Sequence, residues 1–113
     1  MDRVKLYATL IKQALSDYVA LVQKSPHLPY QVVMAFDDEH HQYLVRKVGW
    51  QENKRILKTV LHLALYNGKI YIEEDWTEEG IATWLLEQGV PNTDIILSFQ
   101  PPLIRPYGEF AVA

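Results

Sequence analysis

The chain has 113 residues, 49% hydrophobic and 22% charged, and its 11 basic and 14 acidic side chains give a net charge of -3. This composition predicts one globular domain over residues 1–113 and excludes a disordered segment. The chain has no cysteine, which excludes disulfides, thiolate metal sites and a cysteine nucleophile. The acidic balance disfavours a strong, sequence-independent DNA binder. We find no signal segment and no apolar run long enough to cross a bilayer, so we expect a soluble cytoplasmic protein without membrane contact.

The first predicted element is a long amphipathic helix from Asp2 to Lys24. Its apolar residues recur every three or four positions, which is the spacing of one helix face. They are Val4, Tyr7, Leu10, Ile11, Ala14, Leu15, Tyr18, Leu21 and Val22. Asp2 is suited to cap the N-terminus of the helix. The segment 25–29 contains two prolines, and it should end the helix because proline cannot continue the hydrogen-bond ladder.

Four extended segments follow this helix. They span residues 30–36, 41–50, 55–66 and 69–76. Asn67 and Gly68 join the last two segments, and both residues tolerate the positive φ angles of a type I′ hairpin turn. That turn predicts four opposed pairs, which are Leu65 with Ile70, Leu63 with Ile72, Ala64 with Tyr71 and His62 with Glu73. The register of the first hairpin, through residues 37–40, stays open.

A loop at residues 51–54 extends the predicted register into a third strand. The expected pairs are Trp50 with Arg55, Val48 with Leu57 and Leu44 with Leu61. One sheet face is then apolar and needs a helix packed on it, with Leu57, Leu61, Leu63, Leu65, Ile70, Ile72 and Trp76. We expect the other face to carry Tyr43, Val45, Lys47, Lys58, Val60, His62, Ala64, Tyr66, Lys69, Tyr71, Glu73 and Asp75. This second face is too apolar for an ordinary wet surface, so we expect another molecule to cover it.

A short helix follows the last of these strands. Thr77 is the predicted N-cap, with Glu78 and Glu79 in the first turn, and Gly89 ends the helix in the left-handed conformation. A strand over residues 95–99 and a proline-containing tail complete the chain. The predicted architecture is an α+β fold in the order α-β-β-β-β-α-β. Its antiparallel sheet of four to five strands carries the long N-terminal and short C-terminal helices on one face.

Three polar groupings suggest chemistry, and each has a simpler explanation. His62 opposite Glu73 has the geometry of a general base, but we identify no nucleophile or pocket beside it, which favours a cross-strand structural pair. The adjacent residues 37–41, all Asp, Glu or His, lack the spacing of a metal site. Asp37 with Glu52 and Lys54 resembles the Mg²⁺-binding set of restriction-type nucleases. Glu52 and Lys54 fall at a predicted hairpin tip, however, which makes a nuclease the weakest alternative.

A group of basic side chains around the second hairpin is the only plausible nucleic-acid surface. Its members are Arg46, Lys47, Lys54, Arg55 and Lys58, with Trp50 and Tyr43 nearby. They could contact several phosphates, and direct DNA binding through this hairpin is therefore the main alternative function. A hairpin rim that is basic only for solubility explains the same residues, because net negative charge opposes binding to DNA.

Several segments together resemble one protein family. They are Val48-Gly49-Trp50, residues 68–72, 75–82 and 89–97, Phe99-Gln100-Pro101-Pro102, Arg105 and the final Phe110-Ala111-Val112-Ala113. The chain resembles the XisI family of cyanobacterial fdxN-element excision controlling factors along nearly its whole length. It departs from the family pattern at Gln100, where His or Arg is expected, and at Trp76, where a small or polar residue is usual.

The resemblance implies a non-enzymatic accessory factor without a cofactor or metal. Such a factor acts with an XisH-type protein, so that a site-specific recombinase excises a DNA element. We expect a homodimer or higher oligomer, with only weak or indirect DNA contact. The predicted partner-binding residues lie on the outer sheet face and in the tail, and they are Tyr43, His62, Tyr71, Glu73, Pro101, Pro102, Arg105 and Phe110.

Overall fold

The computed structural model describes residues 2–112 as a five-stranded sheet with two α-helices. The elements are α1 (Arg3–Gln23), β1 (Tyr30–Asp37), β2 (Gln42–Gln51), β3 (Lys54–Tyr66), β4 (Lys69–Asp75), α2 (Ile81–Glu87) and β5 (Ile95–Leu97). The strands lie in sequence order, antiparallel except for the parallel pair of β4 and β5. The α+β prediction is confirmed, but the sheet is mixed. Strands β4 and β5 are parallel because the α2 segment carries the chain back to the end of the sheet at which β4 begins, and β5 starts there.

Helix α1 packs across β1, β2 and β3, and this defines an inner sheet face beneath the helix and an outer face on the other side. Its N-terminus is capped as predicted, because the Asp2 carboxylate accepts a hydrogen bond from the Val4 backbone N at 3.0 Å. The inner face, α1 and α2 share one core. Its largest fully buried members are Ile11, Leu15, Tyr43, Val45, Val60, Leu61, Leu63, Ile70, Ile72, Leu85 and Ile95.

The turn between β3 and β4 confirms the Asn67-Gly68 prediction, since the φ angles of these residues are 53° and 73°. The pairs Leu65 with Ile70, Ala64 with Tyr71 and Leu63 with Ile72 are also confirmed. The predicted pair of His62 with Glu73 is wrong. Glu73 is an extra, unpaired residue in β4, a β-bulge that places Glu74 opposite His62.

A second bulge, in β3, changes which side chains face the core. Trp50 pairs with Arg55 and Val48 with Leu57, as predicted. Beyond these pairs Val60 is the extra residue, so that Leu61 pairs with Val45 and not with Leu44.

The consequence of this bulge is that β2 presents the opposite set of side chains from the one predicted. Neighbouring residues of a strand point to opposite faces, and pairing with Leu61 puts Val45 on the inner face. Tyr43 lies there too, and both side chains are fully buried. The prediction that Tyr43 and Val45 lie on the outer face is therefore wrong. Leu44, Val48 and Leu57 take the outer positions instead.

Helix α2 starts later than predicted, at Ile81. Thr77 is not its N-cap. The Asp75 carboxylate takes this role from the end of β4, accepting hydrogen bonds from the backbone N of Thr77 at 2.9 Å and of Ile81 at 2.7 Å. The predicted helix end is confirmed at Gly89, where φ is 93° and the backbone N donates to the Leu86 carbonyl at 3.0 Å.

A buried carboxylate joins the start of α1 to the segment before β5. Asp94 is 8% exposed, accepts a hydrogen bond from the Tyr7 hydroxyl and lies 3.7 Å from the Arg3 guanidinium. Burial, with the hydrogen bond to Asp94, raises the pKa of Tyr7 to about 12. This contact fixes the first turns of α1 against the segment before β5.

Across residues 2–112, no helix has both the length and the apolarity needed to span a membrane.

Candidate partner-binding surface

Within residues 2–112, the outer sheet face carries no helix, and it exposes large apolar side chains. The exposed fraction is 43% for Val33, 58% for Trp50, 51% for Leu57 and 65% for Tyr66. Strand pairing places these four on one face, on β1, β2 and β3. Large apolar side chains that are exposed on a sheet face without a helix over it are typical of contact sites for other molecules. The structure thus has apolar side chains on the outer face, as predicted, but of these four residues only Tyr66 belongs to the predicted set.

Three of the predicted partner-binding residues lie on or beside this face. His62 is half-buried, and its Nε2 lies 2.7 Å from Oε1 of Gln42 on the neighbouring strand. Tyr71 packs edge-on against Tyr66, with ring centroids 6.1 Å apart. Glu73 occupies the bulge in β4, where it is half-buried. The His62 imidazole is held by an amide on its own sheet, which favours a structural role.

Tyr43 does not belong to this surface. Its side chain is buried under α1, and its hydroxyl donates a hydrogen bond to Asp38 at 2.8 Å. Burial and this hydrogen bond raise the pKa of Tyr43 above its ordinary value. A side chain without exposed surface has nothing to offer a partner, so we remove Tyr43 from the candidate set.

Two side chains hold the C-terminal tail in place, namely Asn92, whose Nδ2 donates a hydrogen bond to the Glu109 carbonyl at 2.8 Å, and Arg105. Its guanidinium donates hydrogen bonds to the backbone carbonyls of Gln100 at 3.0 Å, Ser98 at 3.2 Å and Val112 at 3.3 Å. The tail then returns to β5, where the Ala111 backbone N donates to the Ile95 carbonyl at 2.9 Å. Arg105 was predicted to contact a partner, and this stays a prediction, since three of its N–H donors are used within its own chain. Its visible role is to hold the tail in one conformation.

The tail presents a second apolar surface, which we call the tail patch. It comprises Phe99, Leu103, Ile104 and Tyr107, with exposed fractions of 52%, 86%, 52% and 91%. Pro101 and Pro102 are also exposed, as a partner-binding role requires, whereas Phe110 is half-buried against the core. Sequence reasoning missed Leu103 and Tyr107 because isolated apolar residues between prolines show no periodicity. The sequence signal for an exposed position is that both are apolar residues in a segment without a helical or strand pattern.

The basic hairpin residues do not share one face. Arg46 and Arg55 point to the outer face, Lys47 and Lys58 to the inner face, and Lys54 stands at the turn. Three of them lie over aromatic rings, with Lys58 Nζ 3.8 Å from the Trp76 ring centroid, Lys47 Nζ 4.8 Å from Tyr30 and the Arg55 guanidinium carbon 5.2 Å from Trp50. Within residues 2–112, none of the five forms an ion pair with a carboxylate.

The residues of the nuclease hypothesis are not brought together. Asp37 ends β1, whereas Glu52 and Lys54 lie at the far end of β2, about 30 Å away for a strand of that length. The Asp37 carboxylate instead accepts hydrogen bonds from the backbone N of Glu39 and of His40, both at 3.0 Å. These bonds and the His40 ring hold the pKa of Asp37 below its usual range. In the described part of the chain, no group of three His, Asp or Glu side chains could share a metal ion.

Comparison with known proteins decides the family. The model of the XisI protein family matches residues 1–112. The chain belongs to the XisI family. Two solved relatives from Anabaena variabilis ATCC 29413 share its fold. A XisI-like protein is 32% identical, with a TM-score of 0.90 and coverage of 97% of this chain and 99% of its own.

The second relative is the fdxN element excision controlling factor XisI. It is 37% identical, with a TM-score of 0.89, and the match covers 99% of this chain and 100% of that one. No functionally curated protein gives a significant match. XisI-family membership thus rests on both sequence and fold over almost the whole chain.

Proposed function

We propose that this XisI-family chain is a non-catalytic controlling factor for the excision of a DNA element. Family membership and a structural neighbour that is an excision controlling factor support this role. A regulatory protein needs surfaces that recognise other proteins, and it needs no set of reacting groups. The outer sheet face and the tail patch are such surfaces.

The observation that carries the proposal is the conformation of the tail patch. Leu103 and Tyr107 are almost fully exposed, yet Arg105 between them is fixed by three backbone carbonyls. Binding through apolar side chains on an ordered backbone costs little backbone entropy, which favours their use as anchors in an interface. The occupant that we propose is an XisH-type protein, which would bring this chain to a site-specific recombinase.

Co-purification with a co-expressed XisH-type protein tests this proposal. We expect Leu103→Ser with Tyr107→Ser to abolish capture, because the double variant removes both anchors without touching the core. Leu21→Ser is the matched control, since Leu21 is a 64% exposed apolar residue on α1, and it should leave capture unchanged. Failure of the unmodified chain to capture the partner, or capture unaffected by the double variant, would contradict the proposed surface.

A second candidate function is direct contact with DNA phosphates through the β2–β3 hairpin. It is supported by the absence of carboxylate partners for its five basic side chains within residues 2–112. It predicts retardation of duplex DNA that weakens with salt and with Arg55→Glu. Lack of retardation at low salt would eliminate it, whereas the partner-capture result would stand.

A further inference from the structure

The two edges of the sheet differ in one respect. At the β5 edge, the tail continues the sheet through a bridge between Ile96 and Ala111. At the other edge, β1 pairs with β2 alone, and no other segment within residues 2–112 pairs with it. An unpaired edge presents a row of backbone donors and acceptors that can accept another strand.

Strand β1 lacks the features that usually protect such an edge. Residues 30–36 contain no charged residue and no proline, and the pairing with β2 runs without a bulge. Charges, prolines and bulges are the common means of blocking edge-to-edge association. Apolar side chains are exposed on both sides of the strand, with fractions of 43% for Val33, 39% for Met34 and 40% for Phe36. The edge therefore suits an apolar, extended partner.

We propose that the partner of β1 is β1 of a second copy, paired antiparallel about a two-fold axis through Val33. A two-fold axis perpendicular to the sheet makes the two strands antiparallel, and opposed residues must share a face. The register centred on Val33 meets this condition along all of residues 30–36. It pairs Tyr30 with Phe36, Gln31 with Ala35, Val32 with Met34, and Val33 with itself. Asp37 falls just outside the paired segment, so no like charges are opposed.

The helices leave room for this arrangement. Helix α1 contacts β1, β2 and β3, yet Met34 and Phe36 on the inner face of β1 keep exposed fractions of 39% and 40%. The helix therefore does not cover this part of the edge strand. In the proposed dimer, Met34 and Phe36 of both copies lie beside the two-fold axis on the inner face, where α1 leaves them accessible.

A charge-swap experiment tests the axis directly. Val33→Lys or Val33→Glu alone opposes two like charges and removes the central apolar contact, so we expect each variant to weaken the dimer about tenfold or more. An equimolar mixture of the two variants should recover the dimer, because only a symmetric interface sets residue 33 against its own copy. Light scattering over a concentration series measures the mass, and capture through a tag on one variant identifies the mixed dimer.

Leu57→Lys is the matched control, because Leu57 is similarly exposed on the outer face but lies on β3, away from the edge. It should leave the dimer intact. A monomeric unmodified chain would overturn the proposal. So would a dimer that both Val33 variants leave unchanged, or a mixture that stays monomeric.

Hydrogen exchange on the unmodified chain gives a readout that needs no variant. Protection of backbone amides in residues 30–36 should rise with protein concentration, and equal protection at all concentrations would contradict pairing through β1.

This inference stands independently of the excision role. The tail patch lies at the other sheet edge, so Leu103→Ser with Tyr107→Ser should abolish capture of an XisH-type protein and leave the dimer intact, and failure of one proposal is distinguishable from failure of the other.

Discussion

Replacement of Arg105 by Gln should release the tail from β5. The guanidinium supplies three hydrogen bonds, at 3.0 to 3.3 Å, to the carbonyls of Ser98, Gln100 and Val112. The net contribution of each bond, after exchange with water, is about 1 kcal/mol. The Gln amide can replace one of the three bonds, so we expect a loss of about 2 kcal/mol of unfolding free energy. For a chain of this size we expect a fall of roughly 8 °C in the melting temperature.

Urea unfolding measures the loss, and amide exchange locates it. We expect the Ala111 amide, which donates to the Ile95 carbonyl, to lose protection while the amides of β3 keep theirs. Arg105→Lys should retain about half of the stabilisation, because an ammonium group lacks the planar fork that reaches several acceptors. Lys54→Gln at the exposed hairpin turn is the control for loss of a cation. Unchanged unfolding of Arg105→Gln, with Ala111 still protected, would refute the role of Arg105 in holding the tail.

Two further predictions concern the core and the sheet. The pKa of Tyr7 is about 12 in the folded chain and about 10 when unfolded. The unfolded state therefore binds fewer protons between these pH values, and stability falls as pH rises through them. Tyr7→Phe should flatten this fall in urea titrations, the exposed Tyr107→Phe should not, and equal slopes for Tyr7→Phe and the unmodified chain would contradict the assignment. Gly49→Ala should destabilise the chain by more than about 2 kcal/mol, since a Cβ there would lie 2.4 Å from the Pro29 carbonyl oxygen. Thermal melting measures this loss, and a change below about 0.5 kcal/mol would show that β1 and β2 separate easily at this point.

Signals that lie within a few neighbouring residues predicted the structure well. The Asn67-Gly68 turn, the Asp2 cap and the Gly89 helix end need only local backbone geometry, and all three are confirmed. The true start of α2 was missed because its cap is Asp75, six residues before Ile81. Thr77 fits the usual cap pattern, but its own backbone N is bound by the same carboxylate.

The faces of the sheet were predicted only in part, because the two bulges carry no sequence signal. Nothing in the composition of β3 identifies Val60 as the unpaired residue, and Glu73 is equally ordinary in β4. Each shifts the alternation of side chains by one position. The role of Arg105 was inaccessible for another reason, since its three acceptors come together only after the tail has folded back onto β5. The faces of β4 and of the second half of β3 were predicted correctly up to the bulge at Glu73, whereas Tyr43, Val45 and Leu57 were assigned to the wrong face.

The bulge at Val60 also constrains how the length of this protein can vary. In strand β3, the odd-numbered side chains point to the outer face from Lys54 to Thr59 and to the inner face from Leu61 to Tyr66. Loss of a single residue at this point would remove the bulge. The side chains of one half of the strand would then point to the opposite face of the sheet, so that buried and exposed positions are interchanged. Point substitutions of similar size are tolerated far more easily in such a strand than an insertion or a deletion. For this strand, residue count is therefore as strong a constraint as residue type.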